Sequence, residues 1–239
     1  MSQNFQLLSE IEVDFQRARP ARKASPTATT FLDDKQQKLF SQELMSLAQS
    51  VFMSQAGDSP HEVVFCGVDR ESGSSELCRD IGRVLAFCCE QPVCLLDAGV
   101  GSLRLSRLLN VESPMALSGS TPKPYEEVAP NLWYTSADLL DPGQERSLTS
   151  VNRWKERLSE LRRSFEYIVI DAPGVNIRGD AAVLGLAAGV AVLVIEANST
   201  RKAAALRAKQ SLAAGNVRLL GSVLYNRTFP IPERLYRSL

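Results

Sequence analysis

Residues 63–77 read VVFCGVDRESGSSEL, and this stretch decides the fold. A continuous apolar run is followed by a polar turn with glycine and serines, and an amphipathic segment begins immediately afterwards. The same order, an apolar run and then an amphipathic segment, recurs along the rest of the chain. Strands that are apolar on both faces need cover on both faces, which parallel sheets obtain from crossover helices. The sequence therefore predicts an α/β fold, with a mostly parallel sheet flanked by helices.

Hydrophobic periodicity predicts the elements on either side of this stretch. Strands are predicted at residues 63–68, 93–98, 132–136, 167–173, 190–197 and 217–226. Helices are predicted at residues 33–55, 77–88, 103–109, 148–163, 178–188 and 200–214. Residues 111–130 are rich in proline and are predicted to form a loop.

Domain organisation and net charge indicate which classes of protein the chain can belong to. Residues 1–32 are weakly periodic, with a Pro/Ala/Thr/Ser run at 20–30, which predicts a flexible leader before one domain at 33–239. Lys plus Arg and Asp plus Glu both number 27, so no overall field attracts the chain to nucleic acid or to an anionic membrane. No apolar stretch is long enough to span a bilayer, and the N-terminus carries acids where a signal peptide needs bases. We therefore expect a cytoplasmic protein.

The turn at residues 66–77 has part of a polyphosphate-binding pattern. That pattern is G-x-x-x-x-G-K-[ST], in which glycines free the backbone amides and the lysine reaches the β- and γ-phosphates. Gly73 and Ser75 fit the last glycine and the magnesium-binding hydroxyl, whereas Ser74 takes the lysine position and Val68 the first glycine position. Three carboxylates in or beside the turn would repel a polyphosphate: Asp69, Glu71 and Glu76. Taken alone, the segment is also typical of an ordinary strand–turn–helix with a serine N-cap.

Two further strand ends carry polar residues at the edge where parallel sheets bind ligands. The run LLDAGVGSLRLSRLL at 95–109 contains D-x-G-x-G, which also occurs in methyltransferase and dinucleotide sites, but the third glycine position holds Leu103 or Arg104. The run FEYIVIDAPGV at 165–175 is an apolar strand ending in Asp171, the place where phosphate-binding proteins position Mg²⁺. An aspartate at a strand end can equally cap the following loop.

In order along the chain, these segments resemble the bacterial tyrosine kinase (BY-kinase) domain of capsular and exopolysaccharide synthesis, in the ParA/MinD-type deviant Walker branch. The resemblance covers residues 33–239 and implies a P-loop NTPase-like, three-layer α/β/α architecture. The run at 95–109 sits at the family's Walker A′ segment, so that Asp97 matches its first aspartate. Asp171 matches the Walker B aspartate. The resemblance therefore makes Asp97 and Asp171 the candidate catalytic residues.

The same resemblance implies a nucleotide site and a phosphorylation site. The residues that would contact the nucleotide are Gly73, Ser74, Ser75 and Asn226, with either Tyr225 or Asn226 beside the adenine. Ser75 and Asp171 would hold Mg²⁺ only if a nucleotide binds. Tyr236 is the tail tyrosine and the candidate for phosphorylation.

Departures from the family pattern indicate a degenerate, non-catalytic relative, a pseudo-kinase or pseudo-ATPase. Ser74 stands at the phosphate-loop lysine, and Gly99 stands at the second Walker A′ aspartate. The helix that carries E-x-x-R-x-x-R for ring assembly in active kinases reads Glu43, Ser46 and Gln49, and the tyrosine-rich tail is reduced to one tyrosine. Fold alone does not imply activity, which has to be argued from the site. We therefore expect no cofactor, with MgATP or MgADP as the ligand if the site is functional.

On this interpretation the protein is a regulatory or binding component of exopolysaccharide biosynthesis. The resemblance implies a membrane chain-length regulator as a partner, membrane association through that partner, and homodimers; no nucleic-acid partner is expected.

Two alternatives stay open. One is an active but weak ATPase or tyrosine autokinase, in which Arg70, Arg201 or Lys202 replaces the missing lysine. The other is a partition or division ATPase of the ParA/MinD type, which needs a DNA-binding basic surface or a membrane-targeting tail. The run at 201–209 is basic, as is typical of a solvated helix face, and the ending at 229–239 has two prolines near its start, which disfavours a membrane helix.

Overall fold

A computed structural model describes residues 42–53, 59–70, 72–99, 104–111, 125–137, 150–177 and 179–227 of the chain. The helices, in chain order, are α1 Gln42–Phe52, α2 Ser74–Cys88, α3 Arg104–Leu109, α4 Val151–Leu161, α5 Asp180–Ala188 and α6 Lys202–Ala214. The strands are β1 Glu62–Gly67, β2 Val93–Asp97, β3 Glu126–Ala129, β4 Leu132–Ser136, β5 Tyr167–Ala172, β6 Val190–Glu196 and β7 Arg218–Tyr225.

The described strands form one seven-stranded sheet in the order β3-β4-β2-β5-β1-β6-β7. All neighbouring pairs are parallel except β3 with β4, which are antiparallel. Strands β1, β2 and β5 are adjacent, and each is almost entirely buried. Their carboxyl ends therefore meet in the middle of one edge of the sheet, where α/β proteins bind ligands.

The core lies on both faces of the sheet. Alternate residues of β1 enter different hydrophobic clusters, with Val64 in one and Val63 in the other. The first cluster includes residues of α4, α5 and α6, and the second includes residues of α1, α2 and α3. Because both faces of the sheet are covered by helices, the predicted three-layer α/β/α architecture is confirmed.

An ion pair between buried Glu62 and half-exposed Arg162 links the end of α4 to the sheet. Glu62, the first residue of β1, is 5% exposed, and both of its carboxylate oxygens accept bonds from Arg162, which follows α4. Burial raises the pKa of Glu62, and the Arg162 guanidinium only partly offsets that rise. A buried carboxylate loses its hydration, and the two bonds from Arg162 compensate for part of that loss.

The prediction that residues 111–130 form a loop is wrong at its end, because Glu126–Ala129 is the edge strand β3. Its burial pattern shows two exposed residues followed by two half-buried ones, since only β4 pairs with it. An edge strand this short lacks the continuous apolar run by which the central strands were predicted. Residues 112–124 of the predicted loop lie outside the described part. So do residues 33–41 of the helix predicted at 33–55, whose observed part ends at Phe52.

Within the described residues, no helix combines the length and the apolar character needed to cross a membrane.

Candidate functional site

The turn between β1 and α2 is held by its own side chains. The Ser72 hydroxyl accepts a bond from the Asp69 amide and donates one to the Asp69 carbonyl, each at 2.9 Å. A methyl group on Gly67 would lie 2.7 Å from the Ser72 Cβ, so the chain passes too close there for a larger residue. The sequence thus supplies a compact turn that delivers the chain into α2 with a glycine just before the helix.

Gly73, at the N-cap of α2, has φ of +73°, a conformation that favours glycine. The ring of Tyr225, from the end of β7, covers this glycine so closely that a Cβ there would lie 2.2 Å from Tyr225 Cδ1. Burial raises the pKa of Tyr225, and the carboxylates of Asp80 and Glu76 raise it further. The structure therefore places the Tyr225 ring against Gly73, and the position of Tyr225 or Asn226 beside an adenine stays a prediction.

Asp97 and Asp171, the two predicted catalytic residues, lie side by side. They are paired residues in the parallel register of β2 and β5, and they are 4% and 5% exposed. The Gly99 amide donates to Asp97 Oδ1 at 3.0 Å, and the Ala98 amide donates to the Asp171 carbonyl at 2.9 Å. The strand ends thus place two buried carboxyl groups at the same edge as the start of α2.

The Asp171 carboxyl group has an unusual environment. Burial raises its pKa to about 6, and the charge of Glu76 adds to the rise. Hydroxyl groups of Ser75 and Ser74, and the Arg104 guanidinium, act in the opposite direction. Within the described residues, Asp171 Oδ1 has no hydrogen-bond partner. A buried carboxylate with an unmet oxygen is costly, so this site is built at the expense of stability.

Arg104 is the cation that the structure brings to this site. Its Nε and Nη2 atoms both donate to Glu76 Oε1, at 3.2 Å and 2.6 Å. Glu76 Oε2 is buried without a hydrogen-bond partner among the described residues. In the sequence, Arg104 stands out only as an occupant of the third glycine position of the D-x-G-x-G run. Its place at the start of a helix after β2, close to the ligand-binding edge of the sheet, was the signal that could have found it.

The other cations proposed from sequence are exposed. Arg70 lies on the turn before α2, and Arg201 and Lys202 begin α6. Asn226 follows β7 with φ of +57° and is exposed next to Tyr225. Tyr236, Glu71 and Leu103 lie outside the described residues.

The face of α1 that corresponds to the ring-assembly motif is exposed. Glu43, Ser46 and Gln49 all lie on the surface of this helix. The positions are therefore available for contacts, but two of the three side chains carry no charge.

No family model matches the chain. Among curated proteins, it is similar to the tyrosine-protein kinase YwqD of Bacillus subtilis, with 32% identity over 83 residues, 35% of each chain. It is also similar to the tyrosine-protein kinase CpsD of Streptococcus pneumoniae, with 31% identity over 94 residues, 39% of this chain and 41% of the relative. The chain thus matches less than half the length of these two relatives. Over 211 residues it is 22% identical to CapB of Staphylococcus aureus, covering 85% of this chain and 92% of the relative.

Solved structures show the same fold. The kinase domain of the Escherichia coli tyrosine kinase ETK matches with a TM-score of 0.67 at 15% identity, over 97% of this chain and 98% of that one. The MinD cell division protein of Aquifex aeolicus matches with a TM-score of 0.54 at 19% identity, over 74% and 73%. The predicted resemblance to bacterial tyrosine kinases and the P-loop NTPase-like fold are therefore confirmed.

Proposed function

We propose that this protein is a non-catalytic relative of the bacterial tyrosine kinases that acts as a regulatory or binding component of exopolysaccharide biosynthesis. The proposal combines a similarity to tyrosine-protein kinases with a phosphate-loop position that holds Ser74 instead of lysine. Asp97, Asp171 and the glycine–serine turn are then the remains of a nucleotide site. MgATP or MgADP is the ligand only if that site still functions.

The observation that carries the proposal is the charge around the start of α2. A triphosphate needs a compact cation at position 74, because the lysine of this motif neutralises the β- and γ-phosphates. Ser74 instead lies beside Asp171, with Glu76 adding further negative charge. Arg104 is already bonded to Glu76. A triphosphate would therefore meet carboxyl groups where it needs an ammonium group.

Tyr225 gives independent support. Its ring packs on Gly73, the last glycine of the loop, whose backbone must be accessible for a phosphate to approach. Binding would require the ring to move away from the loop.

We extend the proposal to the partners and the division of the chain. A membrane chain-length regulator would hold this protein at the membrane from the cytoplasmic side, with no nucleic-acid partner, and a homodimer would pair across the nucleotide edge. Residues 33–239 would form the domain and residues 1–32 a flexible leader. The motivation is the similarity to the tyrosine-protein kinases. Pull-down of a membrane chain-length regulator by this chain tests the proposed partner. Failure to retain it would contradict the partner.

A turnover assay tests the absence of activity. The purified chain is incubated with MgATP, phosphate release is followed, and Tyr236 is examined by mass spectrometry. We expect no release above the blank and no phosphotyrosine. Turnover at the ordinary kinase rate of roughly 1–100 per second would overturn the proposal.

A gain-of-function pair tests the role of position 74. We expect Ser74→Lys to bind MgADP better than the unaltered chain, because the ammonium group restores the missing charge. Ser159→Lys, on the exposed face of α4, makes the same chemical change away from the site and is the control. Equal nucleotide binding by both variants would show that position 74 is not the cause.

The second candidate function is a weak ATPase or autokinase, and the position of Arg104 favours it. This guanidinium bonds to Glu76 and its charge acts on Asp171, at the start of α2. Arginine can bind phosphate with a bidentate fork, although it does not replace a lysine equivalently. If slow hydrolysis is measured, Arg104→Ala should abolish it, whereas Arg107→Ala on the same helix should leave it unchanged. Hydrolysis unaffected by Arg104→Ala would exclude this mechanism.

A further inference from the structure

The two edges of the sheet differ in how they are protected from further pairing. An edge strand presents a row of unpaired backbone N–H and C=O groups, which proteins limit with short or charged edge strands. At one edge, β3 has four residues and exposes Glu126 and Glu127. At the other edge, β7 has eight residues, of which only Arg218 is charged. Among the described residues β7 pairs with β6 alone, so its outer edge has neither protection nor cover.

The direction of the backbone groups on β7 follows from one hydrogen bond. The Tyr225 carbonyl accepts from the Ala197 amide at 2.8 Å, on the side of β6. Successive residues of a strand direct their backbone groups to opposite sides, and the pairing of β7 with β6 is regular from Gly221 onward. The N–H and C=O groups of Ser222 and Leu224 therefore face the open edge.

The side chain of Leu224 is also uncovered. It is 45% exposed, which is unusual for a leucine in a strand. Its neighbours Val223 and Tyr225 pack against the hydrophobic cluster that includes α1 and α2. Because side chains alternate along a strand, Leu224 lies on the opposite face, which α6 covers. The open edge thus combines unpaired backbone groups with an apolar side chain on the α6 face.

The residues that follow β7 have the pattern of a last strand in a sheet. Residues 228–232 read TFPIP. Pro230 and Pro232 are two residues apart, so in an extended chain both nitrogens without a hydrogen face the same side. Phe229 and Ile231 keep their N–H groups on the other side. Proline in sheets occurs on edge strands with its nitrogen toward solvent, so this segment can pair on one side only and would end the sheet on the other.

The backbone and the side chains of the two segments match in one register. If the chain returns antiparallel along the outer edge, Leu224 lies opposite Phe229, and Ser222 lies opposite Ile231. The connection then has four residues, within the range of hairpin loops, and includes Asn226 with φ of +57°, a conformation typical of turns. Residues directly opposite share a face, so the register that directs the N–H groups inward also places Phe229 beside the exposed leucine. A register that turned the prolines toward β7 would lose both donors.

We infer that residues 229–232 pair antiparallel with the outer edge of β7 as an additional strand that closes the sheet. The occupant of this edge is thus a segment of the same chain. The pairing fastens the segment that carries Tyr236 to the chain's own sheet. The inference goes beyond the proposed function and does not depend on it, because no nucleotide and no partner enters the argument.

Residue-resolved amide hydrogen exchange of the purified chain, followed by NMR, tests the pairing. The reference is a chain that ends at Arg227. We expect the amides of Ser222 and Leu224 to exchange at least about tenfold more slowly in the full chain than in the reference. The amides of Val223 and Tyr225 face β6, so they should be protected equally in both and serve as internal controls. Equal exchange of Ser222 and Leu224 in the two chains would overturn the inference.

Two proline substitutions in the full chain provide a matched pair that does not depend on the truncated chain. Ile231→Pro removes an N–H that faces β7, so the Ser222 amide should exchange at least about fivefold faster. Arg234→Pro lies on the same side as the two natural prolines and should leave that exchange unchanged. Equal effects of the two substitutions would contradict the predicted side of pairing.

A second copy of the chain is the competing occupant of this edge, and dilution separates the two cases. Pairing within one chain gives the same exchange rates for Ser222 and Leu224 at every protein concentration. Protection that is lost on dilution and kept in the chain ending at Arg227 would assign the edge to a second copy and overturn the inference. None of these measurements uses nucleotide, so their outcome and that of an MgATP assay are independent.

Discussion

Replacing Asp171 by asparagine should make the protein more stable at neutral pH. The native carboxyl group has a pKa raised to about 6 from 3.8, chiefly by burial, so the folded state holds its proton more tightly than the unfolded state does. Ionisation of this group therefore opposes folding. Asparagine has nearly the same shape and carries no charge to bury.

The size and the pH range of the effect follow from the same shift. The destabilisation is absent below the unfolded-state pKa near 4, grows as the pH rises, and is complete above the folded-state pKa near 6. A shift of about two units corresponds to about 3 kcal/mol, at about 1.4 kcal/mol per unit. We therefore expect Asp171→Asn to gain about 2–3 kcal/mol in the free energy of unfolding at pH 7.5 and close to nothing at pH 4.

Urea unfolding at several pH values measures this difference. The control is Glu156→Gln, the same loss of one carboxylate on the exposed face of α4, for which we expect a difference within about 0.5 kcal/mol at every pH. The reasoning is refuted if Asp171→Asn is no more stable than the unaltered chain at pH 7.5, or if its advantage does not shrink between pH 7 and pH 4.

Two further substitutions test the packing and the charge pairing that position the site. Gly73→Ala should destabilise the fold by about 2 kcal/mol or more in denaturant melts, because alanine is strained at this φ and its Cβ would strike the Tyr225 ring. Adding Tyr225→Ala should recover only the part of this loss that is due to the ring. A fully tolerated Gly73→Ala would contradict the contact. Arg162→Ala should lower the free energy of unfolding by about 1–3 kcal/mol at pH 7, because it leaves the Glu62 carboxylate buried without its arginine. The loss should be smaller at pH 4, where the Glu62 carboxyl group is protonated. Arg163→Ala, on the neighbouring exposed residue, is the control, and equal losses from the two variants would show that the pair is not the cause.

The parts of the fold that the sequence predicted correctly are those with a continuous apolar signal. Strands such as Val93–Asp97 and Tyr167–Ala172 are buried on both faces, so their composition identifies them without knowledge of their neighbours. The edge strand Glu126–Ala129 depends on pairing with one partner and carries no such signal, which is why it was predicted as a loop.

The site was predictable to the extent that strand ends determine it. Two apolar strands that each end in aspartate place Asp97 and Asp171 at one edge of a parallel sheet, whereas their direct pairing depends on the strand order, which the sequence does not predict. The bonds from Arg104 to Glu76 and the contact of Tyr225 with Gly73 join distant parts of the chain. These contacts depend on the directions of side chains at the sheet edge. Hydrophobic periodicity carries no information about those directions.

The central claim is that the turn before α2 no longer holds a triphosphate, and calorimetric titration of the purified chain with MgATP tests it most directly. We predict no saturable heat up to about 1 mM nucleotide, an affinity too weak to retain a bound ligand. A saturating isotherm with a micromolar Kd, lost on replacing Ser75 by alanine, would contradict the account.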